Sequence, residues 1–366
     1  MHVLITADTV GGVWTYTREL VSGLSRSGVR VTLVSFGEMP SPEQSAWTIG
    51  IPELDFRPTG FRLEWMEGAE REVEESQAYL ETVAREVRPD VLHLNQFAYA
   101  RVAADIPRVV VAHSDVVSWS VSVNGKEPEE SAWLRWYRGL VDDSLRRAEV
   151  VVTPSRWMMD EICRHYVRPA RGVVIYNGRN PEEFATQNEK EPLVLAVGRL
   201  WDEGKQVSLL AGGQHPVPVW IVGAEDHPEP QHRGGNGFRE SGLKVLGRQS
   251  AAQLRLLYGK AATYAATSCY EPFGLAPLEA ALSRCALVAN DIPVFHELWG
   301  DSAYYFRKND AKSLASAIRE LSGNAELHGA YAAKAYAHAI QELSAERMCR
   351  EYEVLYHNLI SEKEHA

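Results

Sequence analysis

Short apolar runs alternate with segments of helical period at the start of the chain. Residues 3–7 form an apolar run, a Gly-containing turn follows, and apolar residues recur at helical spacing across residues 13–27. A second buried strand is indicated at residues 31–36. Strand, loop, helix and strand in this order predict a parallel βαβ unit, with the loop at Gly11 and Gly12 on the carboxyl edge of the sheet.

The same alternation continues towards residue 176 and restarts after a polar segment. Residues 185–191 are interpreted as an interdomain linker, 225–241 as a polar loop, and 37–63 as an irregular excursion. Further strands are predicted at 91–95, 109–112, 150–153, 173–176, 193–197, 217–222, 262–267, 286–289 and 303–306, and helices at 64–87, 131–148, 251–261, 293–299, 310–322, 326–342 and 344–361, with a short helix ending at Leu210.

Two successive sets of alternating strands and helices predict an α/β protein. We expect two Rossmann-like parallel-sheet domains, residues 1–184 and 185–343, that face each other across a cleft between the carboxyl edges of their sheets. A chain of 366 residues is too long for one ordinary core, which agrees with this division.

Composition excludes several classes of protein. A hydrophobic content of 45% and a charged content of 24% are typical of a soluble globular chain, and no stretch reaches the length of a membrane span. We therefore predict a cytoplasmic protein, and leave peripheral membrane contact and oligomeric state open. A net charge of −11 argues against nucleic acid as a partner, and four scattered cysteines indicate neither a zinc site nor a disulfide framework.

The stretch from Ser268 to Leu282 carries two carboxylates eight residues apart. A strand precedes it, Pro and Gly punctuate it, and a run rich in Leu and Ala follows, so Glu271 is expected in a loop and Glu279 in a helix. Unpaired N–H groups at a helix start attract phosphate, and carboxylates accept hydrogen bonds from vicinal hydroxyls. The alternative is that both glutamates are solvated charges beside an ordinary turn.

The residues Glu-Pro-Phe-Gly-Leu followed by Glu279 resemble the signature of the retaining GT-B glycosyltransferases of family 4. The resemblance implies a GT-B fold whose last segment, residues 344–366, packs back on the first domain with Met348, Tyr352, Leu355 and Leu359 as its buried stripe. It further implies roles for five positions in binding the donor. Glu271 would approach the sugar hydroxyls, Glu279 the ribose, and the backbone of Phe273, Gly274 and Leu275 the sugar and phosphates.

Arg199 and Lys205 follow the first predicted strand of the second domain. An arginine and a lysine in one polar turn can stabilise the charge that develops on a departing diphosphate. The segment that begins at Gly198 is similar to the phosphate-binding segment of the family, although the two cations here are six residues apart rather than five. The alternative is a solvated basic pair beside Asp202 and Glu203.

Strand ends of the first domain also carry polar groups, and the resemblance gives some of them a role. In the family, the loop at Gly11 and Gly12 touches donor phosphate or acceptor, and a histidine at the place of His113 reaches the donor sugar and acceptor. A structural histidine after a strand is the alternative. Leu246 and Gly247 resemble the segment whose backbone contacts the base, and Trp14, Asn95 and Trp119 are the candidates on the acceptor side.

The leading functional hypothesis is a retaining transfer of a hexosyl unit from a nucleotide diphosphate sugar, with UDP as the favoured nucleotide, to a hydroxyl-bearing acceptor. No two aspartates stand at positions i and i+2, so we predict that no metal is required, and no cofactor beyond the donor. Two alternatives stay open: a GT-B nucleotide-sugar epimerase or hydrolase, and a catalytically silent subunit that binds sugar nucleotides. The sugar, the base and the acceptor are not specified by the sequence.

Overall fold

The computed structural model describes residues 1–102, 105–184, 189–224 and 243–365. The predicted polar loop at 225–241 and most of the predicted linker, residues 185–188, lie outside the described residues. Two compact units make up the chain, Met1–Gly178 with Ala345–Ala366, and Arg179–Ser344. The chain therefore passes from one unit to the other between residues 178 and 179 and again between 344 and 345.

The first unit contains a parallel sheet of seven strands in the order β3-β2-β1-β4-β5-β6-β7. The topological switch point of this sheet lies between β1 and β4, and open α/β sheets bind ligands beyond the carboxyl ends of the strands at such a point. The strands are β1 His2–Asp8, β2 Arg30–Phe36, β3 Leu54–Pro58, β4 Val91–Leu94, β5 Arg108–Val111, β6 Val150–Thr153 and β7 Gly172–Val174. The helices are α1 Gly12–Arg26, α2 Pro42–Ser45, α3 Glu70–Val87, α4 Val116–Asn124, α5 Ala132–Arg147 and α6 Arg156–His165, joined by the C-terminal helix α12 Ala345–Glu364.

Three elements of the first unit differ from the sequence-based expectation, the first being α3, which begins at Glu70 and not at residue 64. The segment 37–63 contains the edge strand β3, so its interpretation as wholly irregular was wrong. Leu54 and Phe56 alternate there with charged residues on a half-buried strand, which produces a short and weak pattern. Helix α4 was not predicted either, although Asp115 caps it by accepting hydrogen bonds from the N–H groups of Val117 and Ser118.

Helix α12 belongs to the core of the first unit. Its buried face carries Met348, Tyr352, Leu355 and Leu359, which join the apolar cluster formed by β1, β2 and α1. Gly23 of α1 lies so close to this helix that a Cβ atom there would stand 2.2 Å from the sulfur of Cys349. The apolar periodicity of the 20 residues Ala345–Glu364 therefore serves packing in this unit.

The second unit contains a parallel sheet of six strands in the order β10-β9-β8-β11-β12-β13. Its topological switch point lies between β8 and β11, so the loops after these two strands occupy the ligand-binding position of the fold. The strands are β8 Glu191–Val197, β9 Val219–Val222, β10 Lys244–Val245, β11 Ala261–Ala266, β12 Ala286–Asn290 and β13 Tyr304–Phe306. The helices are α7 Ala251–Lys260, α8 Leu275–Leu282, α9 Pro293–Trp299, α10 Ala311–Gly323 and α11 Ala325–Glu342.

The segment after Arg199 is tighter than predicted. Two 3₁₀ helices, Glu203–Lys205 and Val207–Gly212, replace the expected helix that ends at Leu210. They are separated by Gln206, whose φ of 44° is left-handed and interrupts a regular helix. Within the described ranges, every helix is too short or too polar to cross a membrane.

Candidate functional site

The loops that follow β8 and β11 are joined by hydrogen bonds at the carboxyl edge of the second sheet. The hydroxyl of Thr267 donates to the carbonyl oxygen of Lys205 at 2.7 Å, and the N–H of Cys269 donates to that of Gly204 at 2.9 Å. Asn290, at the end of β12, donates from its side chain to the carbonyl oxygens of Thr267 and Ser268. These contacts fix the basic loop and the acidic loop against each other.

Lys205 and Glu271 form an ion pair at this junction. The distance between Lys205 Nζ and Glu271 Oε2 is 2.6 Å, and the Ser268 hydroxyl donates to the same oxygen at 3.0 Å. The two charged side chains are 23% and 13% exposed, so the pair is partly shielded from solvent. The sequence predicted a role for each residue separately, and the structure shows that they are in direct contact.

Arg199 lies on the same loop but keeps more of its surface in solvent. Its guanidinium pairs with Asp202 Oδ2 at 2.6 Å, stands 4.8 Å from the ring centre of Trp201 and is 40% exposed. Asp202 Oδ1 accepts a hydrogen bond from the N–H of Gly204. The pairing therefore ties the arginine to the tight turn that carries Lys205 and leaves a cation at the surface of the site.

Three glycines stand side by side at the ends of β8, β9 and β10. Gly198 donates its N–H to Val222, and Gly223 donates to the carbonyl oxygen of Gly247 at 3.0 Å. A Cβ on Gly223 would lie 1.8 Å from the carbonyl oxygen of Gly198, so only glycine fits there. Gly223 was missed by the sequence analysis, although it follows a predicted strand as Gly198 does. Leu246 donates its N–H to the carbonyl oxygen of Ile221 at 2.9 Å beside these glycines. Because glycine has no side chain, the three glycines leave backbone atoms accessible at this edge of the sheet.

The turn from Glu271 to Gly274 leads directly into α8, as the sequence predicted. Phe273 is buried and anchors the turn, and Gly274 has a φ of 96° at the N-cap of the helix. The N–H groups of Leu275 and Ala276 lie in the first turn, where the helix itself supplies no acceptor, and no side chain caps this helix start. This arrangement favours an anion or sugar oxygens at the turn.

Replacing Gly274 with alanine is expected to reduce stability by about 1–2 kcal/mol, because a Cβ is strained at positive φ. The new Cβ would also lie 3.1 Å from Cγ of Glu271 and displace that side chain. Chemical denaturation measures the first effect. Gly329→Ala is the matched control, since Gly329 lies within α11 with no atom within 4 Å of an added Cβ, and should be neutral or slightly stabilising. Equal effects of the two substitutions would contradict the strain argument.

Glu279 lies in α8, as predicted, and pairs with a residue that the sequence analysis did not select. Its Oε1 atom is 3.1 Å from Nε of Arg179, which lies 100 residues earlier in the chain. The Tyr258 ring is close enough that its phenol pKa is raised, first by burial and then by the charge of Glu279. The carboxylate of Glu279 is therefore held on one side by the guanidinium of Arg179.

Polar residues also meet at the carboxyl edge of the first sheet. Asn95, after β4, accepts at its Oδ1 atom from His113 Nε2 at 2.8 Å and contacts His93 Nε2 at 3.2 Å. The side-chain N–H of Asn95 donates to the carbonyl oxygen of Thr6 at 2.6 Å, which fixes Oδ1 as the acceptor. His93 was missed, although its spacing of two from Asn95 places both side chains on one face of the strand.

These contacts determine the tautomers of both histidines. Because Asn95 Oδ1 can only accept, His113 and His93 carry their protons on Nε2 and present Nδ1 as an acceptor. The Tyr356 hydroxyl satisfies Nδ1 of His93 by donating at 2.7 Å. The neutral imidazole of His113 thus has a defined acceptor nitrogen, Nδ1, and its ring packs edge-on against Tyr16 with the ring centres 4.6 Å apart.

Both imidazoles are expected to stay neutral from pH 7.5 down to about pH 5. Burial lowers the pKa of His93 to about 3, and burial with a smaller contribution from His93 lowers that of His113 to about 3. Because these values lie below the unfolded value of about 6.5, the stability contributed by the neutral rings is present above pH ~6.5 and lost as the pH falls towards 3.

Nitrogen-15 NMR of labelled histidine over this pH range measures the titration, and the chain in concentrated urea is the control that should titrate near 6.5. A folded-state midpoint near 6.5 for His113 would contradict the geometry.

The remaining predicted residues of the first unit occupy different environments. Gly11 has a φ of 86° and precedes α1, whose first residue is Gly12, and both are exposed. Trp119 is half-buried on α4. Trp14 is 7% exposed, packs edge-on against Trp47 at 5.5 Å and donates its indole N–H to the backbone of Gln44. The burial of Trp14 favours a packing role over the predicted acceptor contact.

Comparison with known families identifies two adjoining matches. The model described as Glycosyltransferase Family 4 matches residues 10–183, and the one described as Glycosyl transferases group 1 matches residues 178–338. An O-antigen chain mannosyltransferase of Salmonella typhimurium is 31% identical over 196 residues, which span 51% of this chain and 54% of that protein. The α-maltose-1-phosphate synthase of Mycolicibacterium smegmatis is 23% identical over 65% of this chain and 70% of that one.

Solved structures resemble the chain over nearly its whole length. Sucrose-phosphate synthase from Thermosynechococcus elongatus superposes with a TM-score of 0.82 at 17% identity, covering 99% of both chains. Anabaena HepE, solved in complex with UDP and glucose, superposes with a TM-score of 0.74 at 18% identity, covering 98% of this chain and 100% of that one. At these identities the similarity establishes the fold.

Proposed function

Because this chain belongs to the group 1 glycosyltransferases of family 4 and has their GT-B fold, we propose that it is a metal-independent retaining glycosyltransferase that transfers a hexosyl unit from a UDP-sugar to a hydroxyl acceptor. The observation that carries the proposal is the ion pair between Lys205 and Glu271, 2.6 Å long, at the junction of the basic and acidic loops. This contact brings a phosphate-binding cation and a sugar-binding carboxylate to one point.

Each part of the site suits one part of a nucleotide sugar. Glu271 would accept hydrogen bonds from the sugar hydroxyls and Glu279 from the ribose hydroxyls. Arg199 and Lys205 would bind the diphosphate. The glycine-lined edge at Gly198 would allow the nucleotide to approach the backbone closely.

The proposed transfer needs no covalent enzyme intermediate. The bond between the anomeric carbon and the diphosphate oxygen breaks, and the acceptor oxygen bonds to the same carbon on the same face. The acceptor proton passes to the departing phosphate oxygen. Arg199 and Lys205 stabilise the negative charge that develops on that group, since a preorganised cation is most effective where charge appears in the transition state.

The choice of UDP and the absence of a required metal have separate supports. HepE, which has the same fold, was solved with UDP and with UDP-glucose. In place of a divalent cation, the site offers Arg199 and Lys205 within one loop, and the whole sequence lacks a D-x-D segment that could hold a metal against a diphosphate. The acceptor is a hydroxyl-bearing molecule whose identity depends on the first unit.

A donor screen tests this proposal. The protein is treated with EDTA and incubated with UDP-, ADP- and GDP-sugars, with and without mixtures of hydroxyl acceptors, and products are identified by mass spectrometry and anomeric proton coupling. We expect acceptor-dependent transfer from a UDP-sugar with retained configuration. Sugar conversion without acceptor would indicate an epimerase or hydrolase, binding without turnover would indicate a silent subunit, and rescue by magnesium alone would contradict metal independence.

A further inference from the structure

Arg179 is a nearly buried cation beside the second carboxylate of the motif. Its side chain is 4% exposed, with Nε 3.1 Å from Glu279 Oε1 and a second guanidinium nitrogen 3.4 Å from Glu183 Oε2. The guanidinium carbon stands 5.0 Å from the ring centre of Phe184, so an aromatic face covers the charge. A charge removed from water to this degree needs partners that remain ionised.

Glu183 connects this arginine to a fourth charged residue. Arg255 of α7 lies 3.4 Å from the same Glu183 oxygen that faces Arg179. The four residues Arg179, Glu183, Arg255 and Glu279, which we name the Arg179 cluster, contain two cations and two anions and are therefore balanced in charge. Within the cluster, the ion pair with Glu279 is made by Arg179, and Arg255 pairs with Glu183.

The backbone of Arg179 is fixed as firmly as its side chain. Its N–H donates to the carbonyl oxygen of Leu343 at 3.2 Å, and it forms a bridge with Ser344. The 3₁₀ helix Pro181–Phe184, which carries Glu183 and Phe184, follows directly. A planar guanidinium that starts from a fixed backbone can hold a carboxylate in one orientation, which a flexible ammonium does less well.

We infer that Arg179 is a positioning residue for the nucleoside part of the donor. Its guanidinium orients Glu279 so that the carboxylate accepts hydrogen bonds from the ribose hydroxyls. This inference rests on the proposed function, because it assumes that Glu279 faces a ribose. Its consequence is that the preference for ribose over deoxyribose depends on a residue that does not itself contact the nucleotide.

The ratio of two dissociation constants measures this effect. Calorimetry with UDP and with 2′-deoxy-UDP gives the ribose preference, which we expect to be roughly tenfold or more in the natural protein, as for one charge-assisted hydrogen bond. Arg179→Leu should bring the ratio close to one, whereas Arg179→Lys should retain part of it. In a Glu279→Gln background, Arg179→Leu should cause no further loss, because both substitutions act on the same contact.

Arg255→Leu is the matched control, since Arg255 pairs with Glu183 at the same 3.4 Å but forms no ion pair with Glu279. It should leave the ribose preference unchanged. Circular dichroism confirms that each variant is folded, and Arg179→Lys keeps the test interpretable if the leucine variant is not. A ribose preference that survives both Arg179 substitutions would overturn the inference and leave the proposed function intact. Failure of the natural protein to bind UDP would instead overturn the proposed function, and the inference with it.

Discussion

Glu271→Gln is expected to lower the rate of sugar transfer by roughly two to three orders of magnitude, the usual cost of removing one preorganised electrostatic group. Glutamine keeps the shape of the side chain and can still accept from Lys205 through its amide oxygen. It loses the negative charge that Glu271 places at the sugar. The measurement is release of UDP from the donor that the screen identifies, at saturating acceptor.

The control for this substitution breaks a similar ion pair elsewhere in the same unit. Glu191 pairs with Lys260 at 3.1 Å and is more than half exposed, so Glu191→Gln should leave the rate unchanged. Both variants should unfold within a few degrees of the natural protein. Near-normal transfer by Glu271→Gln would remove the carboxylate from the mechanism.

Arg199→Ala is expected to lower the rate by a comparable factor, at a smaller cost in folding stability. The arginine is 40% exposed, but its partner Asp202 is only 6% exposed, so the substitution leaves a buried carboxylate that retains the hydrogen bond from the Gly204 N–H, at a cost to folding of about 1–3 kcal/mol. Its effect on transfer is larger because the cation acts on charge that appears only as the diphosphate leaves. Turnover and the denaturation midpoint are measured on the same preparation.

Arg307 provides a control with the same sequence spacing, because it pairs with Asp310 three residues later at 2.9 Å, although both side chains are more exposed than those of Arg199 and Asp202. Arg307→Ala should change neither turnover nor stability appreciably. If Arg199→Ala behaved like Arg307→Ala, the phosphate-binding role would be wrong. If it lost turnover only by unfolding, the denaturation midpoint would show that.

The apolar pattern was sufficient to predict most strands of both sheets. Parallel strands such as β1 and β12 are buried on both faces, so their sequences are nearly continuous apolar runs. Such runs can be located from the sequence alone. Helix α8 was predictable because Pro277 and the Leu- and Ala-rich run follow a Gly-containing turn. The edge strand β3 escaped because one half-buried face of five residues gives too little periodicity.

The site could be predicted only where its residues are close in sequence. Glu271 and Glu279 share one short motif, and the structure places them in the loop and helix expected of them. The contact between Lys205 and Glu271 depends on the adjacency of β8 and β11, which a linear pattern does not contain. Arg179 is more distant still, since nothing local indicates that its side chain reaches α8.

The same limit applies to the first unit. His113 and Asn95 follow separate strands, and their hydrogen bond arises because β4 and β5 are neighbours in the sheet. The tautomer of His113 depends further on Thr6, a residue of β1. The sequence predicted the candidate histidine, but the tautomer of its neutral ring follows only from the assembled network.

The loops after β8 and β11 are proposed to form the site for the nucleotide sugar. Hydrogen exchange followed by mass spectrometry, with and without saturating UDP, tests this claim without requiring knowledge of the acceptor. Peptides covering 198–205 and 268–282 should exchange more slowly in the UDP complex than in the protein without UDP. Unchanged exchange in both segments, with UDP bound and protection confined to other parts of the chain, would contradict it.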